Sequence, residues 1–229
     1  MDSKQPLMSE AEQKANAAKL RAETKLVLAE AAEAEAKAKV AELKAQEAAD
    51  DDRAKRAGDK YHHLYRFNGA VNESSARDCM KKLTEWHRLD PECDIEIVFF
   101  SPGGEIMSGM QLFDFIVDLR ETHEVTTGGT GMAASMAGIL VQAGTKRYMS
   151  REGWLLIHRA QFHALGKTFE IEDEVEFIKR IEKRIIQIFT TRSKLKAATI
   201  RRKWDRKDWW LSSDECLELG LVDEIRASA

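Results

Sequence analysis

Residues 95–104 read IEIVFFSPGG, an apolar run that stops at Ser-Pro-Gly-Gly. A segment rich in Ile, Val and Phe favours a β-strand, and this one is apolar enough to be buried on both faces. The two glycines carry no Cβ, so the backbone can turn sharply after the strand. A helix is predicted directly beyond them, from Ile106 to Leu119. A buried strand that leads through a glycine turn into a helix is typical of an α/β domain.

Strands and helices alternate in both directions from this segment. Further strands are predicted at 64–67, 125–127, 146–149 and 154–158, with a last one beginning at Leu221-Val222. Further helices are predicted at 72–89, from about 133, at 170–194 and at 213–219. Strands that alternate with helices through short Gly-rich turns indicate a largely parallel sheet. The sequence therefore predicts one α/β domain over residues 59–229.

Residues 1–58 differ from this domain in composition. Residues 10–57 are mostly Ala, Glu, Lys, Gln and Asp, with no Pro, Gly or aromatic residue, which is a strongly helix-forming composition. Large apolar residues are few and do not repeat in heptads, so a strong coiled coil is not predicted. We expect an Ala/Glu/Lys-rich N-terminal extension that is helical or disordered, with an oligomerising stalk as the alternative.

The overall composition excludes several classes of protein. The 229 residues carry 36 Lys and Arg against 39 Asp and Glu, and a net charge of -3 argues against a nucleic-acid binder. The three cysteines, Cys79, Cys93 and Cys216, show no CxxC spacing, so neither a disulfide framework nor a metal site is predicted. The sequence shows no signal peptide and no apolar run of about 20 residues. We expect a soluble cytoplasmic protein that contacts no membrane.

Two glycine-containing segments partly match nucleotide-binding motifs. Gly166-Lys167-Thr168 matches the end of a phosphate-binding loop, but Gln161 stands where that motif needs its first glycine. Residues 129–134 fit the pattern G-x-G-x-x-A, with Glu152 about where the ribose-binding acid would fall. The strand before this pattern is polar, unlike the buried first strand of a dinucleotide site. Both readings are disfavoured, and no bound cofactor is predicted.

Three other residues together suggest nucleophilic catalysis. Ser135 stands near the start of a helix of small residues, His158 ends an apolar strand, and Asp208 precedes a Trp-Trp pair. Taken singly, each has an ordinary explanation, as a small packing residue, an edge histidine or a capping acid. Together they provide the hydroxyl, imidazole and carboxylate that acyl transfer by a serine nucleophile requires.

Five segments, in order along the chain, resemble the ClpP family of serine peptidases. They are FSPGG (100–104), GMAASMA (131–137), LIH (156–158), DWWLS (208–212) and GLVD (220–223). The resemblance extends from about Tyr65 to Ile225. It implies a ClpP/crotonase-like fold, with repeated β-β-α units around a largely parallel sheet.

The resemblance also implies roles for individual residues. Ser135 would be the nucleophile, His158 the general base and Asp208 the acid that orients the base. The backbone N–H groups of Gly104 and Met136 would form the oxyanion hole.

Asp205 lies close to Asp208 in the sequence and is a competing candidate for the acid. Asp208 is favoured because it matches the family pattern Asp-x-aromatic-Leu-Ser, with Trp210-Leu211-Ser212 in the last three positions. We also expect Trp209 and Trp210 to draw Asp208 towards the core, where a desolvated carboxylate orients an imidazole well.

For the assembly, the resemblance implies a homo-oligomer that cleaves polypeptides. Family members form heptameric rings that stack in pairs, and an AAA+ unfoldase is their ATP-dependent partner. This chain departs from the family at Arg159-Ala160, where a Gln-Pro pair is usual, and in residues 161–168, which help to join two rings in the family. Its long extension is similar in composition to helical segments of phage scaffold proteins, which suggests a phage-type member.

Two alternatives remain open beside the serine peptidase. One is a crotonase-fold protein, since that superfamily shares the glycine-rich oxyanion turns. The other is a catalytically weak assembly or scaffold-linked subunit, for example in phage head maturation, in which the extension carries the function. The presence of Ser135, His158 and Asp208 together favours the peptidase over both.

Overall fold

The computed structural model describes residues 9–162 and 164–227. The first eight residues of the predicted extension, and His163 in the segment 161–168, lie outside this part of the chain. Internal contacts divide the chain into two units, Met1–Ala57 and Gly58–Ala229. The assignment of residues 59–229 as a peptidase domain stays a prediction.

The first unit consists of one helix, α1, over Glu10–Arg56. A capping box begins it: Glu12 N–H donates to the Ser9 hydroxyl, and the Glu12 carboxylate accepts the Ser9 N–H at 2.9 Å. Ion pairs one turn apart, such as Lys37 with Glu33 at 2.6 Å, support the exposed helix. No described residue of α1 is buried. Of the two predicted states of the extension, helical and disordered, the described part is helical.

The second unit alternates strands and helices. Its strands are β1 (Leu64–Asn68), β2 (Ile95–Ser101), β3 (Val125–Ala134), β4 (Lys146–Ser150), β5 (Trp154–Ile157), β6 (Trp209–Ser212) and β7 (Glu224–Arg226). Its helices are α2 (Glu73–Leu89), α3 (Ile106–Leu119), α4 (Met136–Val141), α5 (Thr168–Arg192), α6 (Ala197–Trp204) and α7 (Ser213–Glu218).

The strands form one mostly parallel sheet. β1, β2, β3, β4 and β7 follow one another in that order, all parallel. β5 pairs in parallel with the far end of β3 and antiparallel with β6. The predicted α/β class and largely parallel sheet are confirmed, and β4, β5 and α5 follow one another in the β-β-α order.

The core lies between the sheet and the helices. Leu83 of α2, Ile97 of β2, Leu140 of α4 and Leu155 of β5 are completely buried in one apolar cluster. The start of α2 is fixed by Asn72, whose side-chain oxygen accepts the N–H of Ser75 at 3.0 Å. The Asn72 side chain thus satisfies an otherwise unpaired donor of the first turn, and the helix predicted at 72–89 is confirmed.

The segment after Val125 departs from the prediction. A short strand, a glycine turn and a helix from about Ala133 were expected, but β3 continues through the glycines to Ala134 and α4 begins at Met136. The glycines make room for neighbouring side chains rather than forming a turn. A Cβ on Gly128 would lie 2.1 Å from the Tyr148 ring of β4. Pairing with strands on both edges therefore overrides the local turn signal.

Helix α5 is buried over only part of its Ile-rich stripe. Ile178, Ile185 and Ile188 lie in the core, Val175 and Ile181 are half-buried, and Ile171 is exposed. Two elements of the C-terminal region, α6 and β6, were not predicted at all. Within residues 9–162 and 164–227, no helix is both long and apolar enough to cross a membrane.

Deletion of residues 1–57 is expected to leave the second unit folded, because the described residues of α1 bury nothing. The shorter chain should unfold cooperatively by circular dichroism. Its thermal midpoint should stay within about 4 °C of that of the full chain. A shift of that size corresponds to a change of about 1 kcal/mol in the free energy of unfolding of such a domain. Deletion through Phe67, which is 2% exposed, is the control and should abolish cooperative unfolding. Non-cooperative unfolding of the 58–229 chain would contradict the domain boundary.

Candidate active site

Ser135 lies in the connection between β3 and α4. Its backbone has φ 54° and ψ -122°, a conformation that residues other than glycine rarely adopt. The Ser135 N–H donates to the Leu156 carbonyl of β5 at 3.0 Å, and the Ser135 carbonyl accepts the Ile139 N–H at 3.3 Å. Contacts on both sides thus hold the strained backbone in place. The sharp strand-to-helix turn leaves the hydroxyl partly exposed.

His158 follows the last residue of β5 and faces this hydroxyl. Its Nε2 lies 2.7 Å from the Ser135 Oγ. The imidazole is 18% exposed, so it is shielded from most of the solvent. The pairing of β3 with β5 brings Ala134 opposite Leu156, and the two functional side chains follow within two residues of that pair. The geometry is that of a hydroxyl hydrogen-bonded to a base.

Asp208 lies immediately before β6, on the other side of His158. Its Oδ1 is 3.5 Å from the His158 Nδ1. The antiparallel pairing of Ile157 with Trp209 explains this placement, because the residues just beyond that pair are His158 and Asp208. The structure therefore brings the three predicted side chains together.

The predicted burial of Asp208 by its tryptophan neighbours is wrong. The Asp208 side chain is 58% exposed, and Trp210 is 43% exposed. The reason is the short length of β6, whose pairing with β5 leaves these side chains at the edge of the sheet. Asp205 is exposed as well, and it lines a neighbouring cavity together with Arg159.

The Ser-Pro-Gly-Gly turn packs directly against the serine. A Cβ on Gly103, whose φ is 89°, would lie 2.6 Å from the Ser135 Cβ, so only glycine fits there. The Gly103 N–H donates to the Ser101 hydroxyl at 3.1 Å. Within residues 9–162 and 164–227, the Gly104 N–H forms no hydrogen bond. Gly104 and Met136 both line the cavity that holds Ser135 and His158.

This cavity has a volume of about 340 Å³. Besides the residues above, apolar side chains from three helices line it: Ile106, Ile139, Ile185 and Phe189. A pocket of this kind, apolar with a few converging polar groups, is typical of an enzyme site.

Arg159 makes a contact that the sequence did not reveal. Its guanidinium forms a two-pronged ion pair with Glu182 of α5, at 2.9 and 3.0 Å. The Glu182 carboxylate raises the pKa of Arg159 above its usual value. The pair ties the residue after His158 to α5. The sequence feature that could have revealed this contact is Glu182, which falls on the same helix face as Ile178 and Ile185. A carboxylate on a buried face needs a hydrogen-bonding partner.

Neither nucleotide-binding pattern acquires the required geometry. Residues 129–134 belong to β3, so the strand-turn-helix of a dinucleotide site is absent from this described segment. In the other segment, the Lys167 N–H donates to the Glu170 carboxylate at 2.8 Å. An acidic side chain therefore occupies the position at which a phosphate would have to bind.

Comparisons with known proteins identify the family of the chain. The family model described as Clp protease matches residues 52–229 of the chain. The ATP-dependent Clp protease proteolytic subunit 2 of Tropheryma whipplei (strain Twist) is 32% identical over 159 residues. That match covers 69% of this chain and 87% of the relative. The chain therefore belongs to the Clp protease family of peptidases.

Proposed function

We propose that the chain is a serine endopeptidase subunit that hydrolyses peptide bonds through Ser135, His158 and Asp208. The observation that carries the proposal is the 2.7 Å separation of the Ser135 Oγ and the His158 Nε2 beside a glycine turn. A serine hydroxyl is a weak nucleophile at neutral pH and needs a base in such contact. Membership of the Clp protease family supports a peptidase of this type.

In the first step, the His158 Nε2 takes the hydroxyl proton while the Ser135 Oγ bonds to the substrate carbonyl carbon. The carbonyl π bond breaks, and its electron pair moves to the oxygen. The resulting imidazolium donates from Nδ1 towards Asp208, whose carboxylate stabilises the positive charge and selects the tautomer. The His158–Asp208 distance of 3.5 Å is long for a hydrogen bond, as catalytic contacts often are before substrate binds.

The developing oxyanion requires donors that are not already engaged. The Gly104 N–H meets this condition, whereas the Gly103 N–H donates to Ser101. Met136 provides the second N–H, as the residue after the nucleophile. Preorganised donors of this kind supply a large part of the rate enhancement in acyl transfer.

The tetrahedral intermediate then collapses. The C–N bond breaks, and the leaving amine takes the proton from His158. Water hydrolyses the acyl-enzyme by the same route, with His158 again acting first as base and then as acid. Because side chains, N–H groups and water account for every step, we propose that hydrolysis itself needs no bound cofactor.

The cavity beside Ser135 indicates the kind of substrate. Ile139, Ile185 and Phe189 line it together with the catalytic groups. An apolar side chain of a polypeptide, next to the bond that is cleaved, would replace water there favourably. We therefore propose polypeptide substrates with an apolar residue at this position.

For the assembly, we propose a homo-oligomeric ring in the cytoplasm. Phe169 and Phe177 of α5 are 58% and 43% exposed, and Leu165 before the helix is fully exposed. Exposed apolar surface of this kind marks a contact with another chain. The resemblance to the family supports a heptamer, a second stacked ring and an AAA+ unfoldase through which ATP would act.

Replacement of the nucleophile tests the reaction directly. Ser135→Ala should lower kcat for a fluorogenic peptide by several orders of magnitude, because no other group can form the acyl-enzyme. Ser108→Ala, a matched change on α3, should keep the wild-type rate. Substantial cleavage by Ser135→Ala, with the assembly intact, would exclude the serine mechanism.

The two neighbouring acids should differ in their effect. Asp208→Asn should lower kcat by up to about 10⁴-fold, since an amide cannot select the reactive tautomer of His158. Asp205→Asn should cost less than about tenfold, the scale of an exposed charge. Steady-state kinetics of the two variants decide the matter. The reverse order would mean that the acid of the triad is misassigned.

Ring formation should depend on the exposed phenylalanines of α5. Native mass spectrometry should give a heptamer for the full chain. The double variant Phe169→Ser, Phe177→Ser should weaken assembly, because it removes apolar surface that a neighbouring chain would cover. Arg180→Ser, at an exposed position of the same helix, is the control. A stable monomer at micromolar concentration would contradict the proposed ring.

A further inference from the structure

Three side chains with metal-binding atoms meet where the chain enters β1 and where α2 passes into β2. They are His63, Asp90 and Cys93. A ring nitrogen, a carboxylate oxygen and the Cys93 Sγ all lie within 4.8 Å of one another. None of the three forms part of the proposed peptidase site.

The backbone fixes each of these residues. His63 has φ 49°, in the left-handed region, and its carbonyl accepts the Glu96 N–H at 3.0 Å. The Asp90 Oδ1 accepts the Glu92 N–H at 3.3 Å, which orients the carboxylate. The Cys93 N–H donates to the Asp90 carbonyl, also at 3.3 Å. The strained His63 thus presents its ring beside a tight turn that carries the other two groups.

Neighbouring aromatic rings support two of the three residues. The His63 ring packs edge-on against Trp86, with centroids 5.5 Å apart. His123 is 4% exposed, and its Nδ1 lies 2.7 Å from the Cys93 carbonyl oxygen, to which it donates. The other nitrogen of His123 lies 2.8 Å from the Nδ1 of His87, with which it forms a hydrogen bond. His123 therefore holds the Cys93 segment and has no free nitrogen for a ligand.

The donor set favours one metal in particular. A thiolate, an imidazole and a carboxylate together suit Zn²⁺, whereas Mg²⁺ and Ca²⁺ prefer oxygen ligands alone. Zinc–ligand bonds of about 2.0–2.3 Å would bring the three atoms to about 3.5 Å from one another. The three atoms lie within 4.8 Å of one another, so the side chains would close the remaining distance when the ion binds. Asp90 is exposed, so solvent reaches the site and water can take the fourth position.

We propose that His63, Asp90 and Cys93 form a Zn²⁺ site that joins the chain before β1 to the connection between α2 and β2. On binding, the Cys93 thiol releases its proton to solvent and bonds to the metal as a thiolate. Because the ion binds the folded chain, it stabilises that chain against unfolding. No metal site was predicted from the sequence, which lacks closely paired cysteines. The fold assembles this site from residues up to 30 positions apart.

Cobalt provides the sharpest test, since a cobalt–thiolate bond gives a charge-transfer band in the near ultraviolet. Titration of the full chain with Co²⁺, under reducing conditions, should produce this band and saturate at about one ion per chain. Cys93→Ser should abolish the band. His63→Asn should weaken binding at least about tenfold. Asn is chosen because it tolerates the left-handed backbone of position 63.

The matched control is His62→Asn, which removes the exposed neighbouring histidine and should leave the band and its affinity unchanged. Zinc should also raise the thermal midpoint of the wild type and of His62→Asn, but not of His63→Asn. This second measurement decides the matter if Cys93→Ser fails to fold. The proposal is overturned if no band forms, if the band survives in Cys93→Ser, or if both histidine variants lose it equally. None of these readouts uses peptidase activity, so they do not bear on the proposed function.

Discussion

The pairing of the end of β3 with β5 is the constraint on which the proposed active site depends. It places Ala134 opposite Leu156, and the Ser135 N–H then donates to the Leu156 carbonyl. That hydrogen bond holds the serine in a backbone conformation it would otherwise rarely adopt. Two residues beyond Leu156 the chain reaches His158, so one strand pair sets both the proposed nucleophile and its proposed base.

The same strand sets the third group from its other edge. β5 pairs antiparallel with β6, and the pair of Ile157 with Trp209 leaves His158 and Asp208 adjacent. Asp208 is nevertheless exposed, so its effect on the imidazole is screened more strongly than that of a buried acid. The ion pair of Arg159 with Glu182 supplies a further restraint, since it fixes the chain just after His158. The proposed triad is thus held more firmly at Ser135 than at Asp208.

Local signals in the sequence predicted much of this arrangement. The strand 95–100 and the helices 72–89 and 106–119 each contain their own determinants, and the structure shows all three. The errors occur where distant contacts decide. β3 runs through glycines because Tyr148 and Met149 of β4 pack over them. β6, the exposure of Asp208 and the partner of Arg159 depend equally on residues far away in the sequence. The cluster of His63, Asp90 and Cys93 also depends on distant contacts. The turn after α2 holds Asp90 and Cys93, and the hydrogen bond from the Glu96 N–H to the His63 carbonyl brings His63 beside them.

The central claim is that the strained Ser135 is an activated nucleophile. The most direct measurement is to treat the assembled wild-type chain with a fluorophosphonate and to locate the adduct by peptide mapping in a mass spectrometer. The account predicts a single phosphonylated residue, Ser135. An adduct on another serine, or no adduct in a chain shown to be folded, would contradict it.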